Sequence, residues 1–236
     1  KKIRGKLRVY VHITIEGLSK PKQDRFGNFK HTKGSGIVGC DIGTQTIAYT
    51  TETKAGLKNL AERGSSIEVN ERKERRIYRA MDRSRRAMNP DNYNEDGTIK
   101  KGKKKWTYSN RYKKLRTKHT ELCRINATNR HLAINEDVNE LRSLGDVFVT
   151  EPKNAKKLQK RAKTGKRKKR FGRSIKNRCP GYFQSQAKRK FRIYVEVPND
   201  YKASQYDHTS DTYIKKSLSQ RMYKLQDGTM VQRDLY

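Results

Sequence analysis

The feature that most constrains this chain is a pair of short apolar runs that each carry a carboxylate near their end. Residues 37 to 42 read "IVGCDI" with Asp41 inside the run, and residues 146 to 151 read "DVFVTE", where Val147, Phe148 and Val149 lead to Glu151. Runs this short suit buried strands better than helices. An isolated charge in such a place is costly, so the acid must be paired, protonated or bound to metal. Side chains at adjacent strand ends of one sheet can meet at a single ion although they lie far apart in sequence.

The segment between the runs has a helical period. Over residues 68 to 88, Ile77, Met81 and Met88 recur at helical spacing, while Arg72, Arg75, Arg76, Arg79, Arg83, Arg85 and Arg86 cover much of the remaining surface. Asn89-Pro90 ends that helix, and residues 91 to 106 read as an exposed loop. A second long helix is expected from about 109 to 144. Its apolar stripe comprises Leu115, Leu122, Ile125, Leu132 and Leu141, interrupted by His119, Asn126 and Asn129, with Gly145 as its C′ residue. Strands joined by helices predict an α/β fold.

Other elements follow from local pattern. Residues 6 to 15, "KLRVYVHITI", alternate as a half-buried strand, and residues 20 to 36 form a connector. A tight turn at Gly43, Thr44 and Gln45 makes a hairpin between residues 37–42 and 47–51. Ser174 caps an expected helix to about residue 191, with Pro180 disturbing its first turns. "RIYVEVP", residues 192 to 198, alternates as another strand, and no internal repeat is visible.

Charge sets the class of partner. Lys and Arg total 58 against 24 Asp and Glu, a formal net charge of +34, and such self-repulsion disfavours a compact state unless a polyanion neutralises it. Nucleic acid is the natural polyanion, because phosphate neutralisation releases condensed counterions. The alternative of a disordered basic tail is opposed by 32% hydrophobic residues and 13 tyrosines. Between Glu151 and Glu196 there is no acid at all. Lys153, Lys156, Lys157, Lys160, Arg161, Arg170 and Arg173 in that stretch are expected to hold backbone phosphates without reading sequence, against the alternative of a merely solvated loop. Cys40, Cys123 and Cys179 are odd in number and far apart, which suits free thiols in a reducing, cytoplasmic setting; Cys123 and Cys179 read as small core residues. No run approaches a membrane span, and no signal peptide is visible.

A third acid, Asp234, lies in "GTMVQRDLY", residues 228 to 236, where a helix opening would favour a carboxylate. Three such acids suit Mg²⁺ or Mn²⁺, since hard cations take oxygen ligands and leave room for substrate phosphate. A two-ion arrangement of that kind hydrolyses phosphodiesters. On pattern alone, Asp41 and Glu151 also read as structural strand-end acids and Asp234 as a surface acid.

"GCDIGTQTIAYT", "VFVTEPKNAKKLQKRA", "SIKNRCPGYF" and "KKSLSQRMYKLQDGTMVQRDLY", in this order, resemble the nuclease half of the TnpB (OrfB) proteins of insertion sequences. These are RNA-guided DNA endonucleases related to type V CRISPR effectors. The likeness runs from about residue 6 to the end. It implies a RuvC-like nuclease of RNase H fold, with Asp41, Glu151 and Asp234 on the family's three acidic motifs as catalytic and metal-binding residues. It also implies a guide RNA and a target DNA as partners, with the helix of residues 68 to 88 resembling a bridge helix. Residues 1–33 would be the end of an oligonucleotide-binding wedge domain and a connector. Residues 34–198 would be the nuclease core with its basic loop at 153–173, residues 199–230 a degenerate ribbon, and residues 231–236 the start of the last acidic motif. On this likeness the protein would associate with the nucleoid.

The chain departs from the family where a four-cysteine zinc ribbon commonly lies, since it has no Cys-x-x-Cys. His208 with Asp207 and Asp211 is weighed as a metal set, but structural zinc wants nitrogen and sulfur ligands, so a solvated loop without zinc is expected. Arg221 reads either as a phosphate clamp or as a surface arginine. Trp106, Tyr108 and Tyr112 could stack on bases or pack half-buried. Two further functions stay open: a catalytically silent RNA-guided DNA-binding regulator, and a plain basic RNA-binding protein. The last predicts that the three acids lie apart, whereas a nuclease needs them together.

Overall fold

The computed structural model describes residues 2–3, 6–14, 22–63, 65–154, 172–198, 200–201, 203–217 and 220–236. In chain order these form β1 (Lys2–Ile3), β2 (Lys6–Leu7), β3 (Ile37–Ile42), β4 (Thr46–Thr50), β5 (Ala55–Asn59), α1 (Leu60–Arg63), α2 (Ser65–Met88) and α3 (Asn110–Leu144). They continue as β6 (Val147–Thr150), α4 (Gly172–Arg178), α5 (Pro180–Lys190), β7 (Ile193–Glu196), β8 (Tyr206–Asp207), β9 (Thr212–Tyr213), β10 (Met222–Lys224) and β11 (Met230–Gln232). The fold is α/β with a mixed sheet, and among the described residues no helix is long and apolar enough to cross a membrane. The chain divides into two compact units, one of residues 1–19 and 65–130, the other of residues 20–64 and 131–236.

The second unit is built on a five-stranded sheet of order β5-β4-β3-β6-β7. β5, β4 and β3 run antiparallel to their neighbours, while β3, β6 and β7 are parallel. The hairpin expected between residues 42 and 47 is present: Gly43 N–H donates to Thr46 O at 2.9 Å, and a Cβ on Gly43 would meet that oxygen at 2.5 Å. Period two then sorts the faces. Val38, Cys40 and Ile42 of β3 are buried, as are Phe148 and Thr150 of β6. Gly39, Asp41, Val149 and Glu151 therefore share the opposite face.

The buried face packs against the end of α3 and against α5. Ile134, Val138 and Leu141 of α3 join Phe183 and Ala187 of α5, with Phe191 after it, over Val38 and Phe148. Phe148 is the centre, fully buried, with the rings of Phe191, Tyr194 and Phe183 at 4.8, 5.4 and 6.3 Å. Leu132, expected in the stripe of α3, is 57% exposed instead, because the buried residues recur from Ile134 and Leu132 sits about 200° around the helix from it. Gly145 does follow α3, though not as a left-handed cap. A Cβ there would meet Gly36 O at 2.6 Å and Val38 Cγ2 at 2.8 Å, so only glycine lets the chain pass β3 this closely.

Two further expectations need correction, and one strand was missed. The strand over residues 6 to 15 shrinks to β2, paired with β1 alone, and Leu7, Val9, Val11 and Ile13 are exposed; among the described residues no other strand pairs with this segment, and a strand without a partner leaves its backbone groups unmade. The single helix expected from 174 to 191 is two helices, broken at Cys179, whose φ is 43°, because Pro180 cannot donate to the preceding turn. β5 was not foreseen at all, since "AGLKN" has no strand-forming pattern.

The first unit contains α2, the loop of residues 89 to 109 and the beginning of α3. Asn89, buried at the end of α2, donates to Arg85 O and Thr107 O at 2.8 Å each and accepts from Thr107 N–H at 2.7 Å. That side chain closes the helix end and pins both ends of the loop. Ser109 caps α3, its Oγ accepting from Tyr112 N–H at 3.1 Å. The apolar interior here is thin: Met81 is the buried hydrophobic residue described in this unit, beside buried Glu71, Asn89 and Asn126.

Candidate active site

β3 and β6 pair in parallel with Gly39 opposite Val149 and Cys40 opposite Thr150. The next residues along the two strands are Asp41 and Glu151, on one face and on neighbouring strands about 4.8 Å apart. Thr150 ties the pair together, its Oγ1 donating to Cys40 O at 2.8 Å from a buried position. Asp41 and Glu151 line one cleft of about 320 Å³ on the second unit, and Asp234 lines the same cleft from the other end of the sequence.

Asp234 follows β11 in a turn, not the helix opening expected. Leu235 N–H and Tyr236 N–H both donate to Gln232 O, at 3.2 and 2.9 Å, so the chain folds back within one turn and brings Tyr236 to the cleft. Arg221 Nη1 donates to Asp234 Oδ2 at 2.8 Å, and Arg233 Nη2 to Oδ1 at 3.1 Å. Of the two readings of Arg221, it binds a carboxylate here, although its side chain stays 62% exposed.

Asp41 is likewise engaged by a cation. Lys153 Nζ forms an ion pair with Asp41 Oδ1 and donates to Ile42 O at 2.9 Å. Glu151 is half-buried, and burial followed by the neighbouring Asp41 charge pushes its carboxyl pKa up, with Lys153 partly opposing. The cleft thus holds three oxygen-donor side chains, Asp41 and Glu151 repelling each other, with Asp41 and Asp234 paired to lysine and arginine. Their convergence is incomplete: among the described residues, the group of potential ligands whose atoms all lie within 4.8 Å is not this one. All three acids offer oxygen alone, the donor chemistry of Mg²⁺ or Mn²⁺, and Lys153 stands where a cation on Asp41 would be, so the residues fit a hard divalent ion.

Two of these residues were given other roles or none by the sequence. Lys153 was grouped with the phosphate-binding lysines, yet it lies two residues after Glu151, and in an extended chain that spacing returns a side chain to the same face. Arg233 was not singled out, although it immediately precedes Asp234.

The expected nucleic-acid residues fall into two groups. Arg72, Arg75, Arg76, Arg79, Arg83 and Arg86 on α2 are exposed, with Arg86 and Arg85 both paired to Asp82. Lys156, Lys157, Lys160, Arg161 and Arg170 lie outside the described residues, as does the side chain of Arg173. The aromatics of the first unit pack on one another: Tyr93 edge-on to Trp106 at 5.9 Å, Tyr108 stacked on Tyr112 at 4.4 Å, and Arg85 over Trp106 at 5.2 Å.

Two hairpins follow, β8–β9 (Tyr206–Tyr213) and β10–β11 (Met222–Gln232). Asp207, almost fully buried, links them: Oδ1 accepts from Thr209 Oγ1 at 2.6 Å and Thr209 N–H at 3.0 Å, and Oδ2 accepts from Gln226 N–H at 3.2 Å. These bonds, the Thr209 hydroxyl first, hold its pKa down. His208 bonds Tyr236 Oη at 2.7 Å through Nδ1, and Asp211 accepts from Tyr206 Oη at 2.9 Å. The three residues weighed as a metal set therefore serve separate contacts, and a buried carboxylate does the joining of the hairpins. No family model matches the chain, and no curated protein matches it.

Proposed function

We propose that the chain is the catalytic part of an RNA-guided DNA endonuclease of the TnpB type, hydrolysing DNA phosphodiesters at a site made of Asp41, Glu151 and Asp234. The observation that carries the reading is that all three acids, one near the start and one near the end of the sequence, line one cleft. The mixed sheet supports an RNase H-like fold, since the first acid lies on the central strand and the second follows its parallel neighbour.

Asp41, Glu151 and Asp234 would hold Mg²⁺ or Mn²⁺. The ion would supply a Lewis acid for the charge that develops on a phosphodiester oxygen. The chain's own residues set up that chemistry. Glu151, with its raised pKa, is a more basic oxygen donor than an ordinary glutamate. Lys153, Arg221 and Arg233 neutralise the acids until substrate arrives and then face its phosphates, the arginines through their two-pronged guanidinium groups. The exposed arginines of α2 add a cationic surface for the backbone of an RNA–DNA duplex, whose sequence is read by base pairing.

One observation favours a second reading, a silent RNA-guided DNA-binding regulator. Asp41 and Asp234 are each paired with a resident cation, as in a site that no longer takes up metal. The test is cleavage of labelled single-stranded and double-stranded DNA by the protein purified with co-expressed RNA, in Mg²⁺ and in EDTA, beside Asp41→Ala. The nuclease reading requires cutting that needs Mg²⁺ and is lost in the variant. RNA-directed binding without cutting by either protein overturns it in favour of the regulator.

A further inference from the structure

In the first unit, Glu74 of α2 faces His119 and Cys123 of α3. Asn70 Nδ2 donates to Asn126 Oδ1 at 2.8 Å, and Ser84 and Ser109 hydroxyls meet at 2.8 Å. Rising numbers on one helix thus meet falling numbers on the other, so the helices run antiparallel with Glu74, His119 and Cys123 between these two ties. His119 and Cys123 are four residues apart, and that spacing stacks both on one helix face.

The three ligand atoms already stand at metal-binding distances. His119 Nε2 lies 3.6 Å from Glu74 Oε1 and 3.8 Å from Cys123 Sγ, and Cys123 Sγ lies 3.8 Å from Glu74 Oε1. A tetrahedral zinc, with Zn–S about 2.3 Å and Zn–N and Zn–O about 2.1 Å, sets its ligand atoms about 3.4–3.6 Å apart. Among the described residues this is the group of His, Cys, Asp and Glu whose ligand atoms all lie within 4.8 Å of one another. The side chains of Glu74 and His119 are only 21% and 24% exposed.

From this geometry we infer that Glu74, His119 and Cys123 form a zinc site that clamps α2 to α3. One sulfur, one imidazole nitrogen and one carboxylate oxygen suit Zn²⁺ better than Mg²⁺ or Ca²⁺, and water completes the tetrahedron, which makes this an open three-ligand site rather than a closed one of four nitrogen or sulfur ligands. With the ion bound and the Cys123 thiol proton released, a thiolate and a carboxylate cancel the two positive charges, so the filled site is neutral. The first unit also gains from a staple, because Met81 is the one buried hydrophobic residue among its described residues and small cores lean on metals or cross-links. The clamp fixes the register of α2 on α3, and so which part of α3 its exposed arginines stand beside. This inference does not rest on the nuclease reading.

The test uses the whole chain, stripped with EDTA and titrated with Co²⁺ and then Zn²⁺. Cobalt ligated by a thiolate gives a sulfur-to-metal charge-transfer band in the near ultraviolet, to which the carboxylates of the cleft are silent. The clamp requires that band at one cobalt per chain and its displacement by Zn²⁺. It also requires loss of the band in Cys123→Ser but not in Cys40→Ser or Cys179→Ser, and affinity weakened at least about tenfold in His119→Gln and Glu74→Gln. Zn²⁺ must raise the thermal midpoint followed by emission of Trp106, the single tryptophan, and fail to raise it in Cys123→Ser of unchanged far-UV circular dichroism. A band that survives in Cys123→Ser, or no band in the wild type, overturns the site.

Discussion

Phe148 offers the most exacting test of how the sheet and its site are held. It is fully buried on β6, three residues before Glu151, and three aromatic rings surround it at 4.8 to 6.3 Å. Phe148→Ala would delete a phenyl-sized volume between rigid neighbours. Buried Phe→Ala substitutions cost about 3–5 kcal/mol. Aromatic rings cannot fold into the gap as a leucine could, so the cost belongs near 4 kcal/mol, part of it the roughly 0.5–1.5 kcal/mol that ring pairs add beyond burial. Against a typical total of about 5–15 kcal/mol, that is a large fraction. Urea unfolding followed by far-UV circular dichroism reads the loss. With a slope of about 2 kcal/mol per molar, the midpoint falls by about 2 M at unchanged slope. A fall under about 0.5 M would refute the central place of Phe148 and, with it, the packing of β6 that positions Glu151.

Gly145→Ala would force a Cβ to 2.6 Å from the backbone oxygen of Gly36, and overpacking against backbone costs about 1–3 kcal/mol, readable by the same urea assay. Glu151→Gln tests the electrostatics of the cleft without added metal. The folded state raises the pKa of Glu151, so it holds a proton that the unfolded chain has already released. Stability then falls as pH rises through the window above the ordinary glutamate value, and the glutamine variant must lose that part of the slope and gain stability at neutral pH. Lys153→Ala removes the cation on Asp41, so titration calorimetry must show tighter Mn²⁺ binding than in the wild type; weaker binding would mean that Lys153 supports the site rather than guarding it.

How much of this was legible follows from which signals are local. β3 and β6 could be read because Ile37 and Val147 each begin a short apolar run, β7 because residues 192–198 alternate, and α2 and α3 because apolar residues recur at helical spacing. β5 could not, because the sequence of Ala55–Asn59 has no strand pattern and its place comes from pairing with β4. The segment from Leu7 to Ile13 shows the converse, a strand-like alternation with no strand beside most of it among the described residues. At the cleft, the acids were legible as carboxylates where apolar runs end. The ion pairs on them were less so, since Arg221 reaches Asp234 across the β10–β11 hairpin. Glu74, His119 and Cys123 went unread because the carboxylate comes from a second helix, and helix register is not written in either helix alone.

Shared metal binding by Asp41, Glu151 and Asp234 is the claim on which the nuclease reading depends, and Mn²⁺ binding measured by calorimetry or electron paramagnetic resonance tests it most directly. The comparison is among the wild type, Asp41→Asn, Glu151→Gln, Asp234→Asn and the pairwise doubles. Groups that share one site are not additive. The account predicts that each single variant loses most of the binding and that the doubles lose little more. Wild-type binding that survives in every single variant, or losses that simply add, would mean that the three acids do not form one metal site.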